Sequence, residues 1–213
     1  MIGPLENHIV RLEPIALEHV PALLRAATID RSTYDLAPVP GTEAAMRAYV
    51  EQALRELAEL RSVPYAVRRL ADDTIVGSGR FLNLEWWSWP SDRPAAAGEP
   101  RKKGIDPPNV AEIGALWYAP DAQRTGVNRA VCRLLLGYAF DTWHVQRLYL
   151  KADARNERSR TMILGLGASF EGILRAHLPA ADGRVRDTAM YAILPDEWPA
   201  VRDRLDASLA RAR

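Results

Sequence analysis

Cysteine is almost absent from this chain: 213 residues hold one, Cys132, so no intrachain disulfide is available. No surplus of charge of either sign is present. Lys and Arg number 28 against 27 Asp and Glu, a formal net charge of +1. A protein built mainly to grip a nucleic-acid backbone carries a basic excess, so no nucleic-acid partner is expected. No apolar run approaches the ~18 residues of a membrane span, and no membrane role is expected. The first eight residues lack a basic stretch followed by an apolar one, which predicts no secretory signal and a cytoplasmic location. His8, His19, His144 and His177 are scattered without a second ligand at metal spacing, so no metal is expected. There is no Walker phosphate loop, and Gly77-Ser-Gly79 lacks the spacing of a nucleophile elbow. Neither an internal repeat nor a block of like charge is present.

What remains is an ordinary globular composition, 48% hydrophobic and 26% charged. The length fits one domain over 1–213 that builds its core without covalent or metal staples. Apolar alternation predicts strands over 9–14, 63–70, 74–84, 110–118, 147–152, 169–177 and 185–194. Helical spacing predicts helices over 17–27, 43–61, 126–143, 156–166 and 196–210. Thr42 is the expected N-cap of the second helix, and Gly167 the left-handed residue that stops the fourth. Gly77 and Gly79 read as strand glycines that permit close backbone approach. The order predicts a mixed α/β fold: a mostly antiparallel sheet of about seven strands with flanking helices. An irregular loop at about 85–108 interrupts it, with Trp86, Trp87 and Trp89, then Pro90, Pro94 and Pro100, and Arg101-Lys-Lys103. The tryptophans either form an interface or lid, offering a homodimer surface, or pack inward.

The segment Leu116-Trp-Tyr-Ala-Pro-Asp-Ala-Gln-Arg-Thr-Gly-Val-Asn128 carries the most chemistry. A strand enters a tight turn that opens a long helix. The first N–H groups of a helix have no intrahelical acceptors, and the helix dipole adds partial positive charge, so such a turn accepts phosphate. Gly126 would let the ligand approach the backbone, and Arg124 could add a charged contact. Glu112, a carboxylate on the strand that leads there, is unusual enough to be a candidate general base for a reacting amine; the alternative is an ion pair with Arg80 on the neighbouring strand. Cys132, inside an apolar helix, reads as core.

The chain resembles the GNAT acyltransferases, in the branch that includes the N-terminal acetyltransferases of ribosomal proteins, over about Ile9 to Leu205. The resemblance is carried by Val10-Arg-Leu-Glu-Pro14, Glu112-Ile-Gly114, Arg124-Thr-Gly-Val-Asn128, Asp153-Ala-Arg-Asn-Glu-Arg-Ser159, Leu166-Gly-Ala168, Glu171-Gly-Ile-Leu-Arg175, Gly183-Arg-Val-Arg-Asp187 and Glu197-Trp-Pro199. It implies acetyl-CoA as acyl donor, with its pyrophosphate on the backbone of Gln123, Arg124, Thr125, Gly126, Val127 and Asn128. It implies that the strand near Leu116, Trp117 and Tyr118 splays from its neighbour to pair with the pantetheine arm and polarise the thioester. Asn156 would contact that arm, and Ser159 would lie near the thiol and return a proton to it. Asn128 stands where the pattern has Gly or Ala, and Arg129, Ala130 and Cys132 follow where relatives often carry Glu and Lys. The expected reaction is direct transfer of acetyl to a primary amine, either a protein N-terminus or a small molecule, with Arg80, Trp86 and Trp87 as candidate acceptor-side residues. A longer donor such as succinyl-CoA, or acyl-CoA binding without catalysis, are the alternatives.

Overall fold

The computed structural model describes residues 3–89 and 100–211, so Pro90 and Pro94 of the expected loop lie outside the described residues. The strands are β1 (Leu5–Glu6), β2 (Val10–Pro14), β3 (Ser62–Arg69), β4 (Thr74–Glu85), β5 (Val110–Tyr118), β6 (Arg147–Asp153), β7 (Ser169–Pro179) and β8 (Val185–Ile193). The helices are α1 (Val20–Thr28), α2 (Glu43–Ala58), α3 (Val127–Gly137), α4 (Glu157–Leu166) and α5 (Trp198–Ala210). The eight strands form one sheet in the order β1-β2-β3-β4-β5-β6-β8-β7. Among the described residues only β5 and β6 run parallel, with α3 in their crossover. The sequence predicts about seven strands; the eighth is the two-residue β1, too short to show any alternation.

Local chemistry sets these boundaries. Thr42 caps α2, its hydroxyl oxygen accepting from the Ala45 N–H at 3.3 Å. Met46, Val50 and Ala53 recur at helical spacing along that helix and are buried. Gly167 ends α4 with φ of 105°. The expected helix over 126–143 is α-helical only to Gly137, and Tyr138–Thr142 widen into a π turn. His144 follows that turn, its Nδ1 3.0 Å from the Phe140 carbonyl oxygen.

Alternation along the strands sends side chains to two cores, one on each face of the sheet. Val67, Phe81, Ile113, Leu148 and Tyr191 meet α3, α4 and α5 on one face. Ala66 and Trp117 meet α1 and α2 on the other, with Leu23, Met46 and Val50. Cys132 is fully buried in the first core, and burial pushes its thiol up to about 12, so it is an inert packing group.

One steric arrangement opens the sheet. Opposite β4, strand β5 carries an extra residue: Ser78 faces Trp117 and Arg80 faces Gly114, which leaves Ala115 and Leu116 across from Gly79 alone. Ala115 sits in the left-handed region, φ 49°. The bulge needs bare backbone opposite. A Cβ on Gly77 would lie 2.1 Å from the Trp117 carbonyl oxygen, and one on Gly79 would lie 2.5 Å from Leu116 Cδ2. On the other side, β5 pairs with β6 only over Val110–Glu112 against Arg147–Tyr149. Beyond Glu112 the two strands part and leave a wedge between Ile113–Tyr118 and Leu150–Asp153. A methyl group at Gly77 collides with backbone that cannot swing aside, so Gly77→Ala is expected to destabilise the fold by about 1–3 kcal/mol. The urea midpoint of the variant against the native chain measures this.

Candidate active site

The wedge has a helix start at each corner of its mouth. On the β5 side the chain turns through Pro120–Ala122, and Arg124 (φ 63°) and Gly126 (φ 94°) are both left-handed before α3 begins at Val127. The Thr125 hydroxyl donates to the Ala122 carbonyl at 2.7 Å and tightens the turn. The N–H groups of the first turn of α3 have no acceptor inside their helix. Arg124, Thr125 and Arg129 are exposed, whereas Val127 is buried and anchors the helix in the core. Two side chains of the expected phosphate turn face inward. Gln123 donates through Nε2 to the Tyr118 carbonyl at 3.0 Å and to the Thr33 hydroxyl at 2.9 Å. Asn128 accepts from the Cys132 thiol along the helix. The turn therefore offers backbone and Arg124, not the side chains of Gln123 and Asn128.

At the other corner, β6 ends on Asp153, which is buried. Its carboxylate accepts from the backbone N–H of Arg155 at 3.0 Å and from the Arg155 guanidinium at 2.7 Å. That clamp leads into α4, where the Asn156 side-chain oxygen accepts from the Ser159 N–H at 3.0 Å. Asn156 is thus the helix cap, and the half-buried Ser159 hydroxyl has no hydrogen-bond partner among the described residues. Thr33, in the connection between α1 and α2, joins both corners: its carbonyl accepts from Arg158 at 3.2 Å while its hydroxyl receives Gln123.

Along β5, Leu116 is half-buried, and Trp117 and Tyr118 send their rings into opposite cores. What these positions present to the wedge is backbone. The Tyr118 carbonyl is already taken, by the Tyr34 hydroxyl at 2.9 Å and by Gln123, so its oxygen is not among the free groups. Burial raises the hydroxyl titration of Tyr34 and Tyr118, which keeps both phenols neutral.

Glu112 lies where the strands part and is 2% exposed. Its ion-pair partner is not Arg80, as the sequence suggests, but Lys151 on β6, with Nζ 2.9 Å from Oε2. Asn83 donates to the same oxygen at 2.6 Å. Oε1 rests over Gly114, where a Cβ would come within 2.7 Å of it. Arg80 points to α2 instead: it pairs with Glu56 at 3.3 Å and lies 4.6 Å from the Tyr49 ring centre. It faces Gly114 in the register, but its charge is already used.

Trp86 and Trp87 lie past the far end of β4, beside Val110, at the opposite end of β5 from the phosphate turn. They are half-buried in their own loop. Trp86 donates to the Asp106 carbonyl at 2.9 Å, the Trp87 N–H donates to Asn109 at 3.0 Å, and Trp87 meets Trp89 edge-on at 5.8 Å. Arg101 is not a free solvated charge: it donates to the carbonyls of Pro108, Trp143 and His144 and ties the loop to the end of the π turn. A separate cleft of about 670 Å³ lies between α1 and the β3–β4 turn. Several of its charges are paired with one another, Arg68 with Glu13 and Arg69 with Asp72 and Asp121, and it reaches the β5–α3 turn at Ala119 and Asp121.

The parted parallel pair, the bulged strand and the exposed helix start define an acyltransferase-type fold. A family model described as the acetyltransferase (GNAT) domain matches residues 10–169, and the chain belongs to that family. It is 35% identical over 88 residues to YdaF of Bacillus subtilis, named provisionally as a ribosomal N-acetyltransferase; the match spans 41% of this chain and about half, 47%, of that protein. A solved structure from T. thermophilus, assigned provisionally as an acetyltransferase, superposes with a TM-score of 0.76 at 32% identity over 98% of each chain. The fold is also that of Mycobacterium smegmatis RimJ in complex with CoA-disulfide: TM-score 0.72, 22% identity, 97% of this chain and 93% of that one. No described helix is long and apolar enough to cross a membrane.

Residues missed from the sequence are Lys151, Asn83 and Thr33, and Asp153, quoted there at the head of a motif, was given no role. Of the three missed, Lys151 left a signal, as a charged residue amid the apolar Leu148–Ala152 stretch of β6. The Arg155 guanidinium holds the Asp153 carboxyl below the usual carboxylate range. A depressed carboxyl lends stability at pH values above its unfolded titration and loses it as pH falls through the folded one. Asp153→Asn is therefore expected to lower stability by about 1–2 kcal/mol at pH 7. The gap to the native chain closes as both are acidified, read from urea midpoints at neutral and strongly acid pH.

Proposed function

We propose that residues 1–213 form one acyl-CoA-dependent N-acetyltransferase unit, with acetyl-CoA as donor and a primary amine as acceptor. The observation that carries this is the wedge itself: β5 leaves β6 after Glu112 and ends at a left-handed turn that opens α3. The residues present fit the donor. The first-turn N–H groups and the Arg124–Asn128 backbone suit a pyrophosphate, and Arg124 suits its charge. The unpaired β5 edge near Leu116 and Trp117 suits an amide-bearing arm, and a backbone N–H there suits a developing oxyanion. Asn156 caps α4 and faces the arm from the other corner, and the Ser159 hydroxyl returns a proton to the departing thiolate.

Glu112 is the base for the acceptor. It is the buried carboxylate at the root of the wedge, and its Oε1 lies over the space that Gly114 leaves empty. A protein N-terminus is the favoured acceptor, on the strength of the name borne by the Bacillus subtilis relative. Arg80, engaged with Glu56 and Tyr49, acts as support for α2 and not as an acceptor ligand.

Calorimetric titration with acetyl-CoA tests the donor site. One saturable site per chain is expected, lost in Gly126→Trp; no binding overturns the reading. Free-thiol release over a panel of amines and N-terminal peptides then finds the acceptor. With that acceptor, Glu112→Gln is expected to lower kcat about 100-fold or more while acetyl-CoA binding is kept.

A further inference from the structure

Lysine is rare in this chain. Of 28 basic residues three are lysines, Lys102, Lys103 and Lys151, and the rest are arginines. Lys102 and Lys103 are exposed on the loop before β5. Lys151 is placed differently. It is two residues beyond Tyr149, the last β6 residue paired with β5, and it shares a face of the sheet with Glu112. Its side chain, 20% exposed, leans back across the parting so that Nζ sits 2.9 Å from Glu112 Oε2. As a salt-bridge partner arginine would serve at least as well, with a forked guanidinium that stays charged. Lysine alone of the two is a primary amine that becomes a nucleophile when it gives up a proton.

We propose that Lys151 is itself an acyl acceptor: with no other amine present, the chain acetylates its own Lys151 at the root of the wedge. This rests on the acetyltransferase reading. The amine stands against Oε2 of the carboxylate that takes the proton from an acceptor, one carboxylate oxygen away from the gap over Gly114. The Lys151 ammonium passes a proton to Glu112, and its freed lone pair attacks the thioester carbonyl carbon. The C–N bond forms, the C–S bond breaks, and the thiolate leaves and is protonated. One acetyl-CoA gives one Nε-acetyl-lysine, one CoA thiol and one released proton. The product is an amide without charge, so the modification also removes the cation that pairs with Glu112.

The test is incubation of the purified chain with acetyl-CoA and no acceptor, followed by peptide mass mapping of the three lysines, thiol titration and calorimetry. Acetyl on Lys151 is expected, with one thiol released per chain, at least about tenfold faster than on Lys102 or Lys103 as held groups react faster than free ones. The rate is expected to fall about 100-fold in Glu112→Gln. Lys151→Arg is expected to bind acetyl-CoA and release no thiol. Calorimetric binding with Lys151 unmodified overturns the inference and leaves the acetyltransferase reading standing. Acetylation of Lys151 at an unchanged rate in Glu112→Gln or Gly126→Trp overturns it as well, since that is reaction from solution. Absence of acetyl-CoA binding removes both.

Discussion

The architecture depends on a contact between backbones. A carbonyl oxygen at Trp117 and a side chain at Leu116 press on two positions of β4 that have no Cβ, Gly77 and Gly79. Close approach on that side lets β5 take in an extra residue and turn its far half away from β6. A strand edge without a neighbour is ordinarily a liability, since its N–H and C=O groups are unsatisfied. Here the edge lies inside the sheet, between β5 and β6, and not at its rim. The same two glycines thus admit the bulge in the half of β5 that leaves β6.

The second organising element is electrostatic. A carboxylate with 2% exposure at Glu112 requires compensation, because removing a charge from water costs more than most single contacts return. Compensation comes from a cation on one neighbouring strand and an amide on the other, both directed at Oε2. One oxygen is pinned, and the other lies over the gap at Gly114. The carboxylate is held in one orientation without being enclosed on every side. Asp153 repeats the device at the end of the same strand as Lys151: a buried carboxylate fixes the turn before α4 through a single arginine.

Much of this was legible in the sequence because it is written in local rules. Caps at Thr42 and Gly167, the strand–turn–helix unit around Gly126 and the alternation in β5 each depend on a few consecutive residues. The element order followed from them, and the family resemblance assigned that order to a known fold. Partnerships across strands were not legible. β4 and β6 both flank β5, so whether Glu112 meets Arg80 or Lys151 is decided by the direction each side chain takes, and no period in the sequence states that. Arg80 is directly across from Gly114, yet its stem leads to Tyr49 and Glu56, which belong to a helix on the covered face. Gln123 and Asn128 illustrate the same limit: their place in the turn could be read, but the inward direction of their side chains depends on Thr33 and Cys132. The two residues of β1 were too few for any pattern.

The strand order has a further consequence for how the protein forms during synthesis. β6 is backed by β8, and β7 lies outside both, so the last strand made is inserted between two made earlier. The wall of the wedge formed by β6 is thus a two-sided strand only after Ile193 has left the ribosome. Until then β6 has one short parallel neighbour and an open flank, and β7 has no partner in the sheet. The wedge therefore has both of its walls in the sheet only once β8 is present.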